Sequence, residues 1–131
     1  MLNNSDLLNC YNSGEVIATK SIGGLAGSIC ESLNPDVDVN VINSYNIGHV
    51  HWGTYSGKVA GYVEKEDNLA TYTNVYYNKQ DVPNMSNGNY VTINATGLNK
   101  ADLMSASFVE TMNSGRSEGY ANWGLGSDDI V

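Results

Sequence analysis

The stretch NCYNSGEV at residues 9–16 returns as NSYNIGHV at 43–50, and GGLAG at 23–27 returns as GKVAG at 57–61. The spacing is the same in both cases, since 43 − 9 = 34 and 57 − 23 = 34. A repeat of this length is typical of units that bury their apolar faces by stacking on one another. The repeat therefore predicts a solenoid.

Each unit contains three short strand-like stretches, which in the first unit lie around 7–12, 15–19 and 24–29. Glycine and asparagine separate them, and we expect Gly14 and Gly48 to form corners with positive φ. Three strands per repeat with such bends predict an all-β fold, a right-handed parallel β-helix of two or three coils.

In such a coil a residue stacks on its counterpart in the next unit, about 4.8 Å away. A third copy starts with NVYYN at Asn74, and its offset from the second copy is shorter, since 74 − 43 = 31. The stacking predicts two ladders of like residues, formed by Asn9, Asn43 and Asn74 and by Tyr11, Tyr45 and Tyr76. The predicted core pairs are Leu8 with Ile42, Val16 with Val50, Leu25 with Val59, and Ile29 with Val63.

The repeat pattern ends near residue 78, so we divide the chain into a solenoid at 1–78 and a small C-terminal α/β cap at 79–131. Within the cap the sequence predicts a strand at 90–94, alone or in a hairpin, then one helix at about 99–113 and a tail. Asn99 is the expected N-cap. The cap would cover the strand edges that a solenoid leaves open at its end.

The charge balance is acidic, with six Lys and Arg against 14 Asp and Glu and a formal net charge of −8. Such a surface repels nucleic acid backbones and anionic lipids, so we expect no nucleic acid partner. No apolar run approaches the roughly 18 residues of a membrane span, and the first residues lack the features of a signal peptide. Membrane insertion is not expected, and an export signal would have to lie upstream.

Two cysteines, Cys10 and Cys30, leave two alternatives open. Free thiols are favoured over a disulfide, and the sequence contains neither a CxxC motif nor a Cys/His cluster.

His49 and His51 form an HxH pattern on a predicted strand, which places both rings on one face about 6.6 Å apart. Zinc sites need three or four ligands. The equivalent residues of the first unit are Glu15 and Ile17, so the pattern does not recur. We expect solvated histidines, no metal and no cofactor.

No catalytic signature is present. Parallel β-helices include polysaccharide-cleaving enzymes, and the acids near predicted strands are Glu15, Glu64, Glu66 and Asp67. Their spacing defines no catalytic pair, and fold analogy alone does not establish activity. Asp36 and Asp38 have too few oxygen-bearing neighbours for a calcium site. We therefore expect that the protein is not an enzyme.

Aromatic residues are the better candidates for a ligand surface. Trp52, Tyr55 and Tyr62 belong to the second unit, and the first unit has Ala18, Ser21 and Ser28 in their places. An exposed aromatic strip of this kind suits sugars or protein partners. The alternative is that Trp52 and Tyr62 only cover the corner beside the cap.

GLAG at 24–27 and KVAG at 58–61, with the stretches before them, resemble the GLUG motif repeats of bacterial cell-surface and secreted proteins. That family includes the non-catalytic repeats near IgA-specific metallopeptidases. The tail, with SFVETMN and Trp123, extends the resemblance to about residues 6–125. Lys58 replaces the first glycine of the motif, which suggests that this position faces solvent.

The resemblance implies an extracellular or cell-surface module that is structural or adhesive and carries no catalytic residues. Its expected partners are upstream repeats of the same chain and a glycan or protein of the host or the cell surface. The chain would then be the C-terminal piece of a larger protein. The alternative is a carbohydrate-binding or polysaccharide-active β-helix module.

Overall fold

A computed structural model describes residues 2, 5–30, 39–64, 70–82, 85–86, 88–89 and 93–126. Its elements in chain order are β1 Leu7–Leu8, β2 Tyr11–Asn12, β3 Ser21–Gly23, β4 Ala26–Ile29, β5 Val39–Asn46, β6 Tyr55–Gly57, β7 Ala60–Val63, β8 Ala70–Asn78, β9 Gly88–Asn89, β10 Thr96–Leu98, α1 Lys100–Leu103 and α2 Ala106–Ser114. The predicted β-rich character is confirmed. Asp36, Asp38, Glu66, Asp67 and most of the predicted strand at 90–94 lie outside the described residues.

Within the described part of the chain the strands form three sheets, and every ladder between these strands is parallel. The largest sheet has the order β1-β5-β8-β10, with β2 also paired to β5. A second sheet joins β3 to β6, and a third has the order β4-β7-β9. Each of the first two units therefore contributes strands to all three sheets.

The strand register follows the sequence repeat. Between the first and second units the paired positions are offset by 34, as for Tyr11 with Tyr45 and Ala26 with Ala60. Between the second unit and β8 the offset is 31, as for Tyr45 with Tyr76. The offset between the sequence copies equals the offset between paired strand positions. Equivalent residues of neighbouring units therefore lie next to one another in the sheets.

The main apolar core consists of aliphatic side chains that come mainly from the largest sheet and the β4-β7-β9 sheet, and its fully buried members include Ile29, Val41 and Val59. Four of the eight predicted core residues, Leu8, Val16, Leu25 and Ile42, are only partly buried. Val16 and Leu25 still pack against buried clusters. Successive side chains on a strand point to opposite faces. Because Val41 points into the core, its neighbour Ile42 cannot.

Asparagine, not glycine, occupies the left-handed corners. The φ angles of Asn9, Asn43 and Asn74 are 51°, 49° and 52°, whereas Gly14 and Gly48 are not among the positive-φ residues. The prediction for the two glycines was therefore wrong. Asparagine tolerates this region because its short amide side chain can hydrogen-bond locally.

Lys58 is buried, with 4% of its surface exposed, so the expectation that it faces solvent was wrong. Its Nζ atom donates to the carbonyl oxygen of Lys79 at 3.0 Å and lies 5.6 Å from the centre of the Tyr77 ring. Burial lowers the pKa of the Lys58 amine, and the Asp81 carboxylate opposes that shift. A long apolar stem lets lysine enter a site that its charge would otherwise avoid.

The C-terminal region continues the parallel pairing, because β9 pairs with β7 and β10 with β8. The single predicted helix is two helices. Ser105 is extended, with φ −99° and ψ 154°, and its Oγ accepts a hydrogen bond from the Phe108 amide at 3.2 Å. This serine starts a new helix because it satisfies a free amide of the first turn.

Asn99 lies at the start of α1 but makes no side-chain capping bond. Both helices pack on the outward side of the largest sheet, where Phe108 and Met112 form a second apolar cluster with Tyr45. The helical segment therefore covers the face of the sheet, and β10 lies on the edge of β8. Among the described residues, no helix has the length and apolar character needed to cross a membrane.

Candidate functional site

The tyrosine ladder lies beneath α2, with Tyr45 fully buried, Tyr76 half-buried and Tyr11 53% exposed. The Tyr11 and Tyr45 rings are stacked, with centroids 5.6 Å apart and planes 14° apart. Phe108 meets both Tyr45 and Tyr76 edge-on, with centroids 5.2 Å away in each case. The pKa of the Tyr45 phenol is raised, mainly by burial and to a smaller extent by the neighbouring Tyr11 phenol. These contacts join units to one another and to the helix, which is a structural role.

The asparagine ladder also joins the units. Asn43 Nδ2 donates to Asn9 Oδ1 at 2.7 Å and to the carbonyl oxygen of Met112 at 3.0 Å. Asn74 lies opposite Asn43, because Ile42 pairs with Thr73 and Ser44 with Val75 on either side. A second hydrogen bond of this kind lies three residues further along each unit, where Asn12 Nδ2 donates to Asn46 Oδ1 at 2.9 Å.

The predicted aromatic strip is divided. Trp52 is 63% exposed, whereas Tyr55 and Tyr62 are half-buried and pack together with ring centroids 5.1 Å apart. The exposure of Trp52 is inconsistent with a role in covering a corner. Trp52 is thus the residue of this set that an external ligand reaches most easily.

The two histidines flank a buried valine. Val16 and Val50 form a parallel bridge, in which the Val16 amide donates to the His49 carbonyl at 2.8 Å and the His51 amide to the Val16 carbonyl at 3.1 Å. Val50 is fully buried, so its neighbours point outward on the opposite face. The two imidazole rings meet edge-on with centroids 4.6 Å apart.

Each imidazole contacts a carboxylate from another unit. His51 Nε2 contacts Glu15 Oε1, and His49 Nδ1 lies 2.5 Å from Asp81 Oδ1. The other carboxylate oxygen of Asp81 accepts a hydrogen bond from the Val50 amide at 3.0 Å. Three successive units therefore contribute to one histidine–carboxylate cluster, which consists of Glu15, His49, His51 and Asp81.

Glu15, His49 and His51 are candidates from the sequence, whereas Asp81 was not predicted. The signal that could have found it was the shorter offset of the third copy. β8 pairs with β5 at an offset of 31, and the same offset continued past the ends of these strands leads from Val50 to Asp81, since 50 + 31 = 81.

The remaining acid and thiol candidates have other neighbours. The Glu64 amide donates to the Ile29 carbonyl at 3.1 Å, and burial, followed by the Glu64 carboxylate, raises the pKa of the Cys30 thiol. Glu15 and Glu64 therefore have different partners. Both cysteines are free thiols, and Cys10 Sγ donates to the Leu8 carbonyl at 3.2 Å.

Comparisons with protein-family models, with curated proteins and with solved structures found no match.

Proposed function

We propose that the chain is a non-catalytic repeat module, structural or adhesive, of a larger bacterial surface or secreted protein. The proposal rests on the contacts that the repeated side chains make between units. Asn9 with Asn43, and Asn12 with Asn46, form side-chain hydrogen bonds between units, and Tyr11 stacks on Tyr45. A repeat whose recurring side chains hold neighbouring units together suits a spacer.

The proposed architecture is a right-handed parallel β-solenoid in which each unit is one coil. Three parallel sheets that each receive strands from successive units support it. The constant register between the first two units supports it as well, because a coil must return to each sheet after the same length of chain. In such an array, stability comes from the interfaces between neighbouring coils.

The absence of catalysis can be tested on the intact chain. Purified protein is incubated with a panel of polysaccharides, and new reducing ends are measured for the wild type, Glu15→Gln and Glu64→Gln. We expect no turnover from any of the three proteins. Turnover that is abolished by one of these substitutions would show a catalytic carboxylate and overturn the proposal.

The location can be tested separately. An antibody against this chain is used on fractions of the bacterium that produces it, and we expect the signal in the surface and medium fractions. A signal confined to the cytosol, together with a cytosolic marker, would contradict a surface or secreted role.

A second candidate function is the binding of a glycan or protein through the aromatic side chains of the second unit. The 63% exposure of Trp52 favours it, since exposed aromatic faces bind sugars and protein surfaces well. Glycan arrays and immobilised host proteins are probed with the wild type and Trp52→Ala. Tyr120→Ala is the control, because Tyr120 is also exposed but lies in the C-terminal tail. Binding lost in both variants or in neither would exclude this surface.

A further inference from the structure

We propose that Glu15, His49 and His51 bind a zinc ion on the outer face of the first two units, and that Asp81 is a positioning residue for His49. The proposal goes beyond the structural function above and does not depend on it. It concerns a link between coils, since Glu15 comes from the first unit and both histidines from the second.

The ligand set is one that zinc prefers. One ligand atom from each of the three residues lies within 4.8 Å of the other two. Tetrahedral zinc with bonds of about 2.0–2.1 Å needs ligand atoms roughly 3.4 Å apart, so the widest separation must close by up to about 1.4 Å. The hydrogen-bonded pair of Glu15 and His51 is already closer than that and must open slightly to admit the ion. These side chains have the freedom to do so, since the Glu15 side chain is 57% exposed and that of His51 38% exposed. Two imidazoles and one carboxylate leave a fourth position for water.

Asp81 supplies the outer contact that zinc-binding histidines usually have. A histidine that binds zinc commonly donates its other ring N–H to a carboxylate, which fixes the ring and its tautomer. Asp81 takes this place at His49 Nδ1, and the Val50 amide orients the carboxylate in turn. Asp81 is also well enclosed, with 9% of its side chain exposed. Because Nδ1 is occupied, Nε2 of His49 is the nitrogen left for the metal.

Two independent histidine–carboxylate pairs would be the simpler explanation. Two separate pairs give no reason for the two imidazole rings to lie close together, yet the centroids of the His49 and His51 rings are 4.6 Å apart. A single metal ion gives a reason for that convergence, because it takes one nitrogen from each ring.

The test uses the full chain in a Cys10→Ser, Cys30→Ser background, so that thiols do not bind the probe metal. Isothermal titration calorimetry with zinc alone should give one ion per chain. We expect His49→Ala, His51→Ala and Glu15→Gln each to weaken binding at least tenfold. Asp81→Asn should weaken it about 10- to 100-fold without changing the stoichiometry. Glu110→Gln, an exposed carboxylate on α2, should bind zinc as the parent does.

Two further measurements separate a site from a folding defect. Circular dichroism without metal shows whether each variant keeps the parent fold, and cobalt substituted for zinc should give the visible absorption of a four-coordinate site only when the three ligands are intact. At zinc concentrations about 100 times Kd, the melting temperature of the parent should rise by about 10 °C. Failure to bind zinc at millimolar concentration overturns the proposal. So does binding that folded His49→Ala and His51→Ala proteins retain at full affinity.

Discussion

Gly48 lies directly against Gly14 of the preceding unit. A Cβ atom on Gly48 would be 2.1 Å from the Gly14 carbonyl oxygen, whereas a Cβ on Gly14 would meet nothing nearer than Asn12 Oδ1 at 3.6 Å. The two glycines hold equivalent places in the repeat, but only Gly48 has another described unit packed against this side. The second glycine is therefore required for close approach between units and not for an unusual φ angle.

Gly48→Ala should lower the free energy of unfolding by about 2–3 kcal/mol, because the backbone oxygen of Gly14 cannot move aside easily. The matched change Gly14→Ala should be neutral or stabilising by up to about 1 kcal/mol, since alanine restricts the unfolded chain. Urea unfolding followed by tryptophan fluorescence measures both. Equal losses in the two variants would show that the glycines serve some purpose other than stacking.

Asn43 combines a left-handed backbone with two side-chain hydrogen bonds, so two substitutions at this position separate these contributions. Asn43→Ala should cost about 3–4 kcal/mol, since it loses the bonds to Asn9 and Met112 and strains the φ angle of 49°. Asn43→Gly should cost about 2 kcal/mol, because glycine adopts this φ without strain. Denaturant unfolding of both variants gives the difference. A glycine variant no more stable than the alanine variant would rule out backbone strain as a factor.

Phe108 fixes α2 on the tyrosine ladder. Phe108→Ala should lower the free energy of unfolding by about 3–5 kcal/mol, as expected for a buried aromatic residue that leaves a cavity. Its loss should also weaken the near-ultraviolet circular dichroism of the tyrosines, since Phe108 holds Tyr45 and Tyr76 edge-on. Glu110→Ala, on the exposed side of the same helix, should stay within about 0.5 kcal/mol of the wild type. If the two variants were equally stable, α2 would not be docked on the ladder.

The repeat made the parallel register predictable, because the single offset between the first two copies sets every strand pair between their units. Features that depend on tertiary contacts were not predictable in the same way. Lys58 is buried because Tyr77 and the Lys79 carbonyl receive it, and neither lies near it in sequence. The break between α1 and α2 has a local cause instead. The Ser105 hydroxyl accepts a hydrogen bond from the Phe108 amide and so starts a new helix.

The histidine–carboxylate cluster was predictable only in part. The alternation around Val50 placed His49 and His51 on one face, as the HxH pattern predicts. The two carboxylates come from other units, so their positions depend on the register between units. For Asp81 the register is the shorter one that β8 adopts against β5, which removes this residue from the alignment of the first two copies.

Tyr72 carries a hydroxyl that is buried and has no hydrogen-bond partner among the described residues. Burial raises the pKa of this phenol from 10.0 to about 12. Since the unfolded state then loses its proton first, this titration costs no stability below pH 10 and lowers the free energy of unfolding as the pH rises from 10 to 12. Tyr72→Phe should therefore raise the free energy of unfolding at pH 7 by about 1 kcal/mol and reduce its decline above pH 10.

Urea unfolding of Tyr72→Phe at pH 7 and at pH 11 measures both effects, with the exposed Tyr120→Phe as control. A Tyr72→Phe protein that is less stable at pH 7, or that declines as steeply as the control, would mean that the hydroxyl is hydrogen-bonded in the folded chain.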